Sequence, residues 1–144
     1  MKRVAVVLGA ALLLSACGSG GGGGTTVAKS PQAQIKAAYL GFFSADGTLH
    51  DHQLLLEDGT DARSPVQVVH FIGQPGSISA TVSKVTLQGA SKAKVIFSTH
   101  YSIYNLNDRT GYAVLQDGKW KVASGTVCEL VAIWNGIPWP PCNS

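Results

Sequence analysis

Two imidazoles flank a carboxylate at His50-Asp51-His52, the densest set of potential metal ligands in the chain. Histidines two residues apart with an aspartate between them suit a transition metal. A structural zinc takes four ligands and a catalytic one usually three. The two other histidines are His70 and His100. The alternation of the surrounding residues points His100 to a wet face. The cluster also follows Thr48, a good helix cap, and Asp51 in a first helical turn meets the positive end of the helix dipole. A solvated helix start therefore accounts for the cluster, and we expect neither a bound metal nor a cofactor. No serine sits in a nucleophile-elbow setting. The glycine run Gly18–Gly24 is no phosphate loop, since no Gly-Lys-Ser/Thr follows it. Trp134 and Trp139 near the C-terminus are read in two ways, as an exposed aromatic patch for a partner or glycan, or as packing over the end of the fold.

The chemistry with the strongest local signature belongs to Cys17. Lys2-Arg3, the apolar run Val4–Leu14 and the small residues Ser15-Ala16 form an export signal. The 13 residues from Val4 to Ala16 fall short of the roughly 20 that cross a bilayer as a helix. Leu14-Ser15-Ala16-Cys17 resembles the bacterial lipobox. That resemblance implies a thioether-linked diacylglycerol on Cys17, which then begins the mature chain. Two or three acyl chains on one residue anchor stably, whereas one is marginal. The alternative is an ordinary secretory signal that contains a cysteine.

Export changes how the rest of the composition reads. The formal charge of +3 includes Lys2 and Arg3, so it falls to +1 once the signal is removed. No basic stripe remains, which argues against nucleic acid as a partner. With Cys17 lipidated, Cys128 and Cys142 are left as an even pair, which outside the cytoplasm usually forms a disulfide. A redox-active pair is the alternative, but there is no Cys-x-x-Cys spacing. Residues 18–30, with six glycines and one serine at their start, form a tether. Random-coil scaling gives it a span of roughly 20 Å. The expected organisation is a signal peptide over 1–16, a lipidated cysteine and tether over 17–30, and one domain over 31–144.

The elements that must position any site come next. Ser30-Pro31 starts a helix, and Ile35, Ala38, Tyr39, Phe42 and Phe43 share its apolar face before Asp46-Gly47. Thr48 caps a second helix carrying Leu49 and Leu54–Leu56, which ends at Asp58-Gly59. Ser64-Pro65 opens a third, with Val66, Val69 and Ile72 on one side. From Ser77 the period becomes two. Ile78, Ala80 and Val82 alternate, then Val85 and Leu87 alternate in the opposite phase, so a bulge is expected at Ser83-Lys84. Lys92–Tyr104 reads as one strand with Ala93, Val95, Phe97, Thr99, Tyr101 and Ile103 inward. Asn105–Asp108 reads as the next turn. Tyr112, Val114 and Leu115 lie in a third strand, and Asp117-Gly118 is a hairpin turn into a fourth, Lys119–Val122. Residues 126–134 fit either strand or helix, with a short helix from near Cys128 preferred. Three prolines keep 137–141 irregular.

Helices followed by four antiparallel strands predict an α+β fold. Its N-terminal helices pack on a curved sheet, and a disulfide ties the C-terminal segment. This order resembles the cystatin-like, nuclear-transport-factor-2-like superfold. More narrowly, the chain resembles actinobacterial exported lipoproteins related to the low-molecular-weight mycobacterial antigen family. The resemblance is carried by the lipobox, Ile35–Phe43, Leu55-Leu56-Glu57-Asp58-Gly59 and Ala80–Val85. Asp117–Val122 with Thr126-Val127-Cys128-Glu129-Leu130 completes it. It covers roughly residues 31–142 and implies a cell-envelope protein. In that superfold a cone between helix and sheet holds the ligand, so Tyr39, Phe43, His70, Phe97 and Tyr101 are the expected pocket residues. Enzymes of this architecture place a His/Asp or Tyr/Asp pair inside the cone, and His70, Tyr39, Asp46, Tyr101 and Tyr104 are the candidates here. None has diagnostic spacing, so no catalytic residue is assigned. The expected function is a non-catalytic, membrane-anchored module on the extracytoplasmic face that binds an envelope protein or a lipid-like ligand. A small acid–base enzyme of the dehydratase or isomerase kind is the alternative.

Overall fold

A computed structural model describes residues 29–67, 69, 78–101, 104–136 and 142. Helix α1, Pro31–Phe42, begins where expected. The Ser30 hydroxyl accepts the Ala33 N–H at 3.2 Å, and Pro31 occupies the first turn. Ile35, Ala38, Tyr39 and Phe42 are its buried residues. Helix α2, Leu49–Leu55, opens with a reciprocal cap. The Thr48 N–H donates to Asp51 Oδ2 at 2.8 Å, and the Asp51 N–H donates to Thr48 Oγ1 at 3.2 Å. This helix stops before Leu56, which is fully buried and forms a parallel bridge with Val122. A helical turn with Val66 and Val69 buried follows Ser64-Pro65, whereas Ile72 lies outside the described residues.

Strands β1 (Ile78–Leu87), β2 (Lys92–Tyr101), β3 (Tyr104–Gln116) and β4 (Lys119–Val122) form an antiparallel meander in the order β1-β2-β3-β4. The phase flip in β1 is a bulge. Val82 pairs with Phe97 and Lys84 with Ile96, leaving Ser83 over. Its hydroxyl donates to the Ile96 carbonyl at 3.2 Å. On β2 the odd positions 93, 95, 97 and 99 are buried. Asp117 and Gly118 both take positive φ, 53° and 72°, as a tight hairpin turn requires.

The turn expected at Asn105–Asp108 is not there. Tyr101 pairs directly with Tyr104, so the reversal falls four residues earlier and residues 105–108 belong to β3. The polar cluster serves a second bulge instead, where the register slips between Phe97/Arg109 and Thr99/Leu106. Asp108 adopts φ 50°, a conformation aspartate tolerates better than most residues, and its N–H donates to Ser98 Oγ at 3.1 Å. Two bulges curl the sheet into a half-barrel around α1.

The segment that fits strand or helix is helical. Helix α3 spans Ser124–Asn135, opening four residues before Cys128 and closing on Gly136 with φ 69°. Its N-cap residue, Ala123, supplies no side-chain hydrogen bond. Glu57 takes that role from 67 residues away: its carboxylate accepts the Ser124 N–H at 3.0 Å and its carbonyl accepts the Ser124 hydroxyl at 2.5 Å. Val127, Leu130 and Val131 face the core. Cys128 and Cys142 are disulfide-bonded, with Cα atoms 5.7 Å apart.

The core sits inside the curl. Tyr39 meets Phe97 edge-on at 5.0 Å between ring centres, and Phe43 stacks on Phe97 at 5.8 Å. Gly111 of β3 makes this packing possible. A Cβ there would lie 2.6 Å from the Tyr39 hydroxyl and 2.8 Å from the Phe97 ring. A glycine in mid-strand is thus explained by the close approach of another element.

Candidate functional site

The structure distributes the residues singled out above among quite different settings. Cys17 and His70 lie outside the described residues. His50 and Asp51 are exposed, and Asp51 is committed to capping α2. The Thr48 hydroxyl and N–H hold its carboxyl below the usual carboxylate range. His52 is buried, with Nε2 3.0 Å from the Ser44 carbonyl and its ring edge-on to Phe42 at 6.0 Å. The three side chains therefore do not converge, and no set of three potential metal ligands converges elsewhere among the described residues. His100 stands on the wet face, hydrogen-bonded through Nδ1 to Asn105 Oδ1 at 2.9 Å. Asp46 is exposed, and its N–H donates to Ser44 Oγ at 3.3 Å.

Tyr39, Phe43 and Phe97 come together but fill one another's space as core. The Tyr39 hydroxyl donates to the Tyr112 carbonyl at 2.8 Å. Burial raises this phenol well above its ordinary value, and a hydrogen bond with Thr126 opposes the rise more weakly. The folded chain thus favours the neutral phenol. The stability this contributes is complete below the unfolded value near 10 and is lost as pH climbs towards the higher folded value. Urea midpoints should therefore begin to fall as pH passes about 10 and go on falling above it. Tyr39→Phe should flatten that fall while lowering the unfolding free energy at neutral pH by about 1 kcal/mol, the usual value of one hydrogen bond.

Tyr101 occupies a different place. It lines a cavity of about 340 Å³ with Tyr104, Leu106, Ile133, Trp134 and Gly136. The β2–β3 hairpin supplies one wall and the end of α3 the other. The Tyr101 and Trp134 rings are 6.0 Å apart at an angle of 45°. Tyr101, Leu106 and Trp134 are half-buried and continue the core outward. None of the six lining residues is an acid, a histidine, a lysine or an arginine. A broader groove of about 480 Å³ between α2 and β4 is charged instead, lined by Asp51, Asp117, Lys119 and Lys121 beside Leu54 and Leu55.

Two shielded polar atoms near the hairpin end lack hydrogen-bond partners: Trp134 Nε1 and Thr99 Oγ1. Thr99 is fully buried, two residues before Tyr101 on the inner side of β2 and paired with Leu106. Such groups cost about 1–3 kcal/mol each. Leu106 and Ile133 were not foreseen as lining residues. Leu106 reaches the cavity because of the β3 bulge, which a polar stretch disguised as a turn. Thr99 did carry a signal, as the one threonine in an inward row otherwise made of aliphatic and aromatic side chains.

No described helix is long and apolar enough to cross a membrane. No curated protein and no solved structure matches the chain. A family model does, over residues 28–136, described as the C-terminal domain of low molecular weight antigen MTB12. That span runs from the residues before α1 through the end of α3, taking in the half-barrel and both walls of the cavity, and the chain accordingly belongs to the low molecular weight antigen MTB12 family.

Proposed function

We propose that this is an exported, lipid-anchored protein of the cell envelope, held at the outer face of a cytoplasmic membrane through Cys17, whose domain binds a small molecule and does not catalyse. The observation that carries the binding half is the Tyr101–Trp134 cavity of about 340 Å³, with its uncharged lining of aromatic and aliphatic side chains. The titratable side chains support the same reading by their positions. Asp51 caps a helix, His100 faces solvent, and the Tyr39 phenol is tied into the core. The anchoring half rests on Leu14-Ser15-Ala16-Cys17 and accords with membership of an antigen family. A cystatin-like or nuclear-transport-factor-2-like ancestry agrees with a helix cradled in a curled antiparallel sheet.

Replacing Cys17 with serine should move the protein from the membrane fraction into the medium. Retention of that variant in membranes would remove the anchoring half. The binding half is tested on the released protein after exposure to an envelope extract. Native mass spectrometry should then show a discrete small-molecule adduct, and an unadorned mass would count against it.

A further inference from the structure

We propose that the side of the domain built from the start of α1, β1 and β2 docks on the anionic phospholipid surface of the bilayer that holds Cys17, through Lys29, Lys36, Lys84 and Lys94. This rests on the anchoring reading above and gives the anchored domain an orientation. The charges of the chain are unevenly shared. All eight acids lie within residues 46–61 and 108–129. The stretch before α1, α1 itself, β1 and β2 therefore contain none, while they carry Lys29, Lys36, Lys84, Lys92 and Lys94. All five lysines are exposed, and none forms an ion pair among the described residues. Lys92 marks the border of the patch. Its Nζ lies 4.9 Å over the Tyr112 ring, beside a hollow that also holds Glu57 and Glu129.

These lysines form no run in the sequence; the fold brings them to one side. Gln32, Ala33 and Lys36 of α1 meet Val82–Val85 of β1 across a hollow of about 260 Å³, whose lining includes Lys84 and no acid. Lys84 pairs with Ile96 and Thr86 with Lys94, so Lys84 and Lys94 are diagonal neighbours on the outer face of the sheet, roughly 7–8 Å apart along the backbone. Lys94 in turn pairs with Tyr112, an exposed ring whose apolar body and hydroxyl suit a headgroup layer. The Lys29 carbonyl accepts the Gln34 side-chain N–H at 2.7 Å, so the tether joins the fold at the same end of α1. Guarding an edge strand against pairing accounts for Lys84, but not for Lys94 on an inner strand or Lys36 on a helix. One lysine at an anionic bilayer contributes about 5-fold in affinity. Four hold a free domain only weakly at physiological salt. The tether offsets that weakness, because a span of roughly 20 Å keeps the patch near the bilayer at about millimolar effective concentration. Tyr101 ends β2 seven residues beyond Lys94, about 23 Å along the strand, so docking leaves the cavity clear of the lipid.

The test uses residues 17–144 carrying Cys17→Ser, which contain every described element. The protein is sedimented at about 20 mM salt with vesicles of phosphatidylglycerol and phosphatidylcholine in equal parts, or of phosphatidylcholine alone. It should sediment with the mixed vesicles only, and salt near 0.5 M should release it. Lys84→Gln and Lys94→Gln should each weaken binding about 5-fold, and together about 25-fold. Lys119→Gln removes the same charge from the groove that holds Asp51 and Asp117 and should leave binding nearly unchanged. All three side chains are exposed, so the melting temperature should hold. No binding to the mixed vesicles, equal binding to both kinds, or an equal loss from Lys84→Gln and Lys119→Gln overturns the docking. So does lysine-dependent binding to soluble dextran sulfate with none to vesicles, which would assign the patch to a free polyanion. The anchor is read separately. Release of Cys17→Ser from cells without vesicle binding sinks the docking alone, whereas its retention in membranes after a high-salt wash sinks the anchor and the docking with it.

Discussion

Phe97→Ala should destabilise the domain by about 3–5 kcal/mol, the usual range for deleting a buried phenyl ring. Phe97 is 1% exposed and is the ring that Tyr39 meets edge-on and Phe43 stacks upon. The site cannot collapse easily, because two elements besides its own strand hold its walls. Tyr39 and Phe43 come from α1 and its end, and the Gly111 backbone comes from β3. Loss of the ring therefore leaves a cavity and two unsupported aromatics. A natural domain has only about 5–15 kcal/mol in total, so much of the margin goes. At roughly 4 °C per kcal/mol the melting temperature should drop by about 12 °C or more. Phe97→Leu, which keeps most of the volume, should lose well under half as much. A loss below about 1 kcal/mol for Phe97→Ala would mean that neighbouring side chains refill the space, and that the aromatic cluster is not the centre of the core.

The second large effect concerns the bridge between Cys128 and Cys142, which are 14 residues apart in sequence. Replacing both cysteines with alanine should cost about 3 kcal/mol, as the chain-entropy account gives for a loop of that length. The loss arises mainly in the unfolded chain, which gains freedom once the loop is open. The urea midpoint should therefore fall while the unfolding rate changes little. Treating the unsubstituted protein with a reductant should reproduce the same shift. A loss confined to a few tenths of a kcal/mol would show that the unfolded chain already holds the two cysteines near each other.

Much of the architecture was legible because single residues carried single meanings. Ser30-Pro31 marked the start of α1, the phase change at Ser83 marked the β1 bulge, and Asp117-Gly118 marked the last hairpin. Legibility failed where one residue type serves two purposes. Asn and Asp favour turns and also tolerate the backbone of a bulge, and at Asp108 the bulge won. It failed again at Ser124, where the helix is capped by Glu57 from a distant part of the chain and no local signal exists. The cavity was half legible for the same reason. Tyr101 follows from strand parity, but its partners Leu106 and Ile133 depend on a slipped register and on the docking of α3.

The long-range cap on α3 has a kinetic consequence. The strands of the meander pair with their sequence neighbours, so their contacts close short loops and form early. Helix α3 opens with Ser124-Gly125-Thr126-Val127-Cys128, a run of weak helix formers, and no cap of its own. Its first turn is capped only when Glu57 is already in place. In refolding experiments the meander should acquire protection from hydrogen exchange first, and α3 should dock last. Ile133 and Trp134 ride on that helix, so the cavity they line should take shape with the slowest phase of folding rather than with the sheet.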